Sequence, residues 1–347
     1  MTGGLHSSKA AYRPFTAKAA FELASPPTWV AAVMPTLVAA AATLTLKPIT
    51  PVAYNLRTLA AWALMLVTAV LMQSAVNTLN DYKDFTSGLD TAQTIYDKKD
   101  ASIVYNQLNP RDALTFSVVL LGVAAVFGLA VVWLSSWHLL VVGLVAAAIV
   151  VLYSVGPKPI SSLPLGELFS GVVMGGLITW ATYYAMALSF TPLVLTVTVV
   201  PIITVALIMQ TNNTCDIQRD IQAGRHTLPV LLGMERSANV ARVLAWITVG
   251  YMVVWVAACD VVLWRSLPLL LVDMGVALVL YLVLKKRIAR IGQGPYTLKN
   301  RGVMMGNITR FCRTANLSWG LVLVVCWAVG DLLARYVDLG DYLPWLG

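Results

Sequence analysis

Long runs of apolar residues recur along the whole 347-residue chain, separated by short polar stretches. Each run is close to the ~20 residues that a helix needs to cross the hydrocarbon layer. They predict nine spans, over 26–46, 58–78, 112–133, 139–155, 167–188, 193–213, 238–258, 268–284 and 314–334. The runs are continuous rather than alternating, which argues against a transmembrane barrel. The expected fold is all-α: a polytopic membrane bundle of about nine helices. Residues 1–25 form a cytoplasmic or interfacial segment, and 26–347 a single transmembrane domain.

Composition agrees with the pattern. Apolar residues make up 59% of the chain and charged residues 12%, against roughly 45–50% and 25% in a soluble domain. A disordered chain is excluded by the same figures. Lys9, Arg13, Lys18 and Glu22 precede the first run, and no small-residue cleavage site follows it, so no cleavable signal peptide is expected. If the N-terminus is cytoplasmic, 20 of the 24 Lys and Arg fall on inside segments and four outside. That asymmetry predicts N-inside, C-outside. The net charge of +8 then needs no nucleic-acid partner. The stretch 285–313 holds eight basic residues and no acid, which suits a cytoplasmic loop or a surface for anionic lipid. None of the four cysteines forms a C-x-x-C pair, and they read as packing residues.

The acids carry the chemical signal. Six lie within 81–112, and two more, Asp216 and Asp220, lie beyond the sixth span. Asn80 and Asp84 are four apart, as are Asn212, Asp216 and Asp220 in turn, so each set stacks oxygen ligands on one helix face. The Asn-x-x-x-Asp unit repeats at an offset of 132 residues, which hints at a duplicated four-helix unit. Carboxylates stacked this closely repel unless a cation lies between them. Oxygen ligands without His or Cys suit Mg²⁺, which completes its shell with waters and substrate phosphates. Two acidic columns beside an apolar bundle therefore suggest an amphiphilic substrate with a diphosphate head. Asp273, inside the eighth run, is the unusual intramembrane acid.

Three segments in order carry a resemblance: Asn80-Asp81-Tyr82-x-Asp84-x-x-x-Gly88-x-Asp90, then Tyr153-Ser154-x-Gly156-Pro157-Lys158-Pro159 with Leu165-Gly166-Glu167, then Asn212-Asn213-x-x-Asp216 through Asp220 to Gly224-Arg225-His226-Thr227-Leu228. Together they resemble the UbiA superfamily of intramembrane prenyltransferases, most closely the MenA-type 1,4-dihydroxy-2-naphthoate prenyltransferases of menaquinone biosynthesis. The pattern departs in places. Cys215 stands where an Arg usually precedes the second motif's first Asp, and Ser25-Pro26-Pro27-Thr28 lacks the family's Arg near the first span.

The resemblance implies Mg²⁺-dependent transfer of a polyprenyl group from polyprenyl diphosphate to an aromatic acceptor. It assigns Asn80, Asp84, Asp90, Asp216 and Asp220 to the metal, with Asp84 and Asp216 essential and Asp81 a weaker candidate. Lys98, Lys99, Lys158 and Arg225 are the expected diphosphate contacts. Asn212, Tyr153 and Tyr183 are the expected pocket lining, with Trp180 and Tyr184 as further aromatic candidates. Membrane lipids are the surroundings. A 4-hydroxybenzoate-like acceptor stays open, as do two other classes: a cation-coupled transporter and a non-catalytic lipid-diphosphate binder.

Overall fold

The computed structural model describes residues 12–46, 55–91, 101–154, 156, 158–263 and 267–336, with the side chains of 259–273 and of residues beyond 329 outside that set. Helices stand at every predicted span. They are α2 (Pro26–Thr45), α3 (Leu56–Thr86), α5 (Pro110–Leu134), α6 (His138–Ser154), α7 (Gly166–Ala187), α8 (Leu193–Cys215), α11 (Met234–Leu263), α12 (Leu267–Ile288) and α13 (Arg301–Tyr336). Short helices α1 (Ala17–Leu23), α4 (Ser102–Tyr105), α9 (Ile217–Gln222) and α10 (Leu228–Leu232) connect them. Among the described residues, seven helices are long and apolar enough to cross a membrane, and α6 is a shorter apolar helix. This is an integral membrane protein.

Several helices outrun the apolar runs that announced them. The run 58–78 sits in a helix that continues to Thr86, and the run 314–334 in one that starts at Arg301. Hydropathy marks where lipid ends, whereas backbone hydrogen bonding continues into the polar layer. The polar turns of α3 and α13 carry much of the site described below.

α7 and α8 pack backbone to backbone. Gly171 and Gly175 lie in a π-helical turn, Gly171–Leu177. A Cβ on Gly175 would stand 2.4 Å from the Pro201 carbonyl oxygen, and one on Gly171 2.6 Å from that of Ile202. The Gly-x-x-x-Gly pair therefore serves a contact within the bundle, where small residues let two backbones touch. Opposite it, Pro201 interrupts α8. Proline has no N–H, so the Val197 carbonyl loses its helical donor. The Trp319 indole N–H fills that place at 3.0 Å, from the buried heart of α13.

At the far end of the bundle from the acidic motifs, Arg57 closes two helices. Its guanidinium donates to Leu134 O (3.0 Å) and Met186 O (2.7 Å), at the C-terminal ends of α5 and α7. Those carbonyls have no helical partner and carry the negative end of the helix dipole. Arg57→Ala is expected to lower stability by about 2 kcal/mol, read as a lower unfolding temperature in detergent with the helical circular dichroism retained.

Candidate active site

The two acidic segments end their helices in the same way. At the end of α3, Leu89 N–H donates to Asp84 O at 2.9 Å, with Gly88 at φ +76°. At the end of α9, Arg225 N–H donates to Asp220 O at 2.8 Å, with Gly224 at φ +66°. A glycine in the left-handed region lets the chain reverse there without strain. The local geometry thus matches Asp84 with Asp220, one helical turn beyond the Asp216 that the sequence repeat pairs with it. The extra turn arises because the helix breaks at Asp216 and restarts as α9.

These ends converge on one cavity of about 350 Å³. Asn80, Asp84, Tyr153, Asn212, Asp216, Asp220 and Arg225 all line it. Arg225 joins the two motifs: its guanidinium hydrogen-bonds Asp84 and lies 3.6 Å from Asp220. Arg301, the first residue of α13, donates to Asp216 Oδ1 (3.0 Å) and to Asn212 Oδ1 (2.6 Å). One guanidinium can span both because i and i+4 share a face. Asn80 accepts a hydrogen bond from Ser154. Burial raises the Asp220 carboxyl above its ordinary range, with Arg225 and Thr227 opposing. Burial pulls Arg225 down, but Asp84 and Asp220 outweigh it and the guanidinium is raised overall.

Several other residues singled out in the sequence lie elsewhere. Asp90 is 5% exposed and bound to Arg219, and it does not line the cavity. The turn at Gly88 swings it away from the Asn80–Asp84 face, and it ties the first motif to the second. Lys158 is exposed and outside the lining. Pro159 and Ser161, at the start of the 3₁₀ turn Ile160–Ser162, do line the cavity. Tyr183 is fully buried in the main core. It lies nine residues past Met174, the deepest cavity residue of α7, or ~13 Å along the axis. Trp180 and Tyr184 stack on each other, and Tyr184 meets His138 rather than the cavity. Asp81 accepts from the Ser102 amide at 3.1 Å. Lys98, Lys99 and the Asp273 side chain lie outside the described residues.

The sequence reading missed Arg219 and Arg301. In the sequence, Arg301 is one of eight cations in 285–313 and looks like the rest. Only its place at the head of α13 separates it. The cavity lining holds five acids (Glu22, Asp81, Asp84, Asp216, Asp220) and four bases (Lys83, Arg219, Arg225, Arg301). Its apolar wall comes from Met174, Val205, Ile208, Met209 and Met305. A charged floor meeting a greasy wall is a shape for an amphiphile.

The profile of the UbiA prenyltransferase family matches residues 28–293. The chain belongs to the UbiA prenyltransferase family. It is similar to the 1,4-dihydroxy-2-naphthoate octaprenyltransferase of Bacillus subtilis (strain 168), 35% identical over 169 residues, 49% of this chain and 54% of that one. It is also similar to the enzyme of that name from Mycobacterium tuberculosis, 32% identical over 175 residues, 50% and 59% of the two chains. These matches span little more than half the length of the curated relatives. Among solved structures, a UbiA homolog from Archaeoglobus fulgidus bound to GPP and Mg²⁺ superposes with a TM-score of 0.56 at 16% identity, covering 88% of this chain and 99% of that one. The apo UbiA homolog from Aeropyrum pernix K1 gives 0.54 at 18% identity, covering 87% and 98%. The UbiA fold therefore holds over most of the chain.

Proposed function

We propose that this UbiA-family protein transfers a polyprenyl group from polyprenyl diphosphate to 1,4-dihydroxy-2-naphthoate, in menaquinone biosynthesis, with Mg²⁺ as cofactor. The observation that carries the reading is the meeting of both acidic motifs and the Arg225 and Arg301 guanidiniums in one cavity with an apolar wall. The naphthoate acceptor rests on the relatives' names.

The donor set fits Mg²⁺. Asn80, Asp84, Asp216 and Asp220 offer hard oxygens and line the same space. Among the described residues no three His, Cys, Asp or Glu side chains converge as a single metal cluster. Mg²⁺ takes one or two carboxylates and shares its remaining positions with waters and phosphate. From this set one or two carboxylates would meet a bound ion directly and the others through water, and Asp90 acts by fixing Arg219. When bound, Mg²⁺ offsets negative charge on the departing diphosphate.

The chain's own groups do the rest. Arg225 and Arg301 receive the polyanion with planar, fixed donors. Met174, Ile208 and Met305 keep water from the allylic carbon as the C–O bond breaks. Tyr153, 8% exposed at the cavity edge, presents a ring suited to a carbocation. The diphosphate leaves with the bonding electron pair, and the ring carbon bearing the carboxylate forms the new C–C bond. Loss of that carboxylate as CO₂ removes the need for a base. We place the protein in a bacterial plasma membrane, with the N-terminus and the acidic motifs cytoplasmic and the C-terminus outside, on the distribution of Lys and Arg.

The test uses purified protein in lipid, offered a polyprenyl diphosphate with 1,4-dihydroxy-2-naphthoate or 4-hydroxybenzoate, and products are read by mass. A prenylated naphthoquinol that disappears with a Mg²⁺ chelator is expected. A prenylated benzoate in its place would reassign the acceptor. Absence of any prenylated ring would sink the transfer reading.

A further inference from the structure

Above the acidic floor, the cavity face of α3 continues with neutral amides. Gln73, Asn77, Asn80 and Asp84 follow one another at intervals of four, three and four, and all line the cavity. Gln73 lies seven residues beyond Asn80, ~10 Å along the axis. A chain of hydrogen bonds fixes which way the amides point. Thr28 donates its hydroxyl hydrogen to Ser25 O at 2.9 Å, so its oxygen can only accept. Asn77 Nδ2 donates to that oxygen at 2.8 Å and to Ala24 O at 3.0 Å. Asn77 Oδ1 accepts from Gln73 Nε2 at 3.0 Å, and Gln73 Nε2 also reaches Thr28 Oγ1 at 3.3 Å. Both amide hydrogens of Asn77 and both of Gln73 are thereby committed, and Gln73 must present its carbonyl. That oxygen is buried on a side chain 8% exposed and receives no donor among the described residues.

A buried carbonyl without a donor is costly and asks for one. An ionised prenyl diphosphate has only acceptor oxygens and hydrocarbon. An aromatic diol has hydroxyl hydrogens. We infer that Gln73, oriented by Asn77 and Thr28, is the specificity residue for the acceptor: Gln73 Oε1 takes a hydrogen bond from a ring hydroxyl. This seats the ring between the amides and the diphosphate floor. The inference rests on the aromatic-acceptor reading above.

Trp29 donates to the hydroxyl of Ser74, next to Gln73, and supplies a fluorescence reporter. Full-length protein in lipid is titrated anaerobically with 1,4-dihydroxynaphthalene, with its dimethyl ether, and with geranyl diphosphate. Wild type is expected to bind the diol about tenfold more tightly than the ether. Gln73→Met is expected to lose that preference while holding geranyl diphosphate unchanged, and Gln73→Glu, which keeps an acceptor oxygen, to retain it. Equal binding of diol and ether by wild type overturns the inference, whatever the variants do. So does a Gln73→Met protein that keeps the preference, or one that loses geranyl diphosphate in equal measure. A wild-type preference without any prenylated product would leave this subsite standing and overturn the transfer reading. Product formed without the preference would do the reverse.

Discussion

Asp84→Ala and Asp216→Ala should each lower kcat/KM for prenyl transfer on the order of 10³-fold, while the protein stays folded. Charge develops on the leaving diphosphate in the transition state, and removing a preorganised group aimed at such charge costs on the order of 10²–10³ in rate. Each of these carboxylates also faces an arginine, Asp84 with Arg225 and Asp216 with Arg301. Both pairs border the cavity, where water can reach the arginine left behind, so the stability loss is smaller than for a sealed pair. Asp90→Ala offers the contrast. Its pair with Arg219 is buried, and leaving a buried guanidinium unpaired costs about 3–5 kcal/mol. The first two variants should unfold near the wild-type temperature and fail in the assay, with a steeper Mg²⁺ requirement. The third should unfold early. If Asp84→Ala turned over at the wild-type rate, the metal assignment would be wrong.

Gly175→Val should cost about 3 kcal/mol or more and remove most of the folded protein from the membrane fraction. The added Cβ would meet the Pro201 carbonyl oxygen at 2.4 Å, and backbone cannot rotate aside as a side chain can. The π-helical turn at Gly171–Leu177 would have to part from α8, which carries Asn212 and Asn213 at its cavity end. Gly122→Ala is the matched control, with no atom within 4 Å of the new Cβ. Alanine favours helix over glycine by ~1 kcal/mol, so that change should be neutral or slightly stabilising. Expression level and detergent unfolding temperature separate the two. Equal behaviour would mean that α7 and α8 do not pack backbone to backbone.

Helix positions were legible because lipid imposes one rule on every residue of a span. The acidic columns were legible because i, i+4 spacing survives in a string of letters: Asn212 and Asp216 do share one guanidinium. What the letters hide is phase and partner. Asp90 sits at family spacing, yet a glycine turn sends it to Arg219. Tyr183 looks like a site aromatic, yet it lies too far along α7. Arg301 belongs to the cavity only because α13 begins there, and nothing local in its surroundings says so. The Gln73 amide chain depends on Thr28, from a helix separated in sequence by 45 residues.

The bond between Val197 and Trp319 joins residues 122 apart. During synthesis α8 emerges first, with a proline that leaves one carbonyl unmet. In the bilayer no water is at hand to meet it. Until α13 has been made and inserted, α8 cannot settle into its final shape, and the wall it shares with α7 stays provisional. Assembly of the charged cavity is thereby made contingent on a late arrival. A ribosome-stalled chain that stops before Trp319 should hold its helices in the membrane without their final packing.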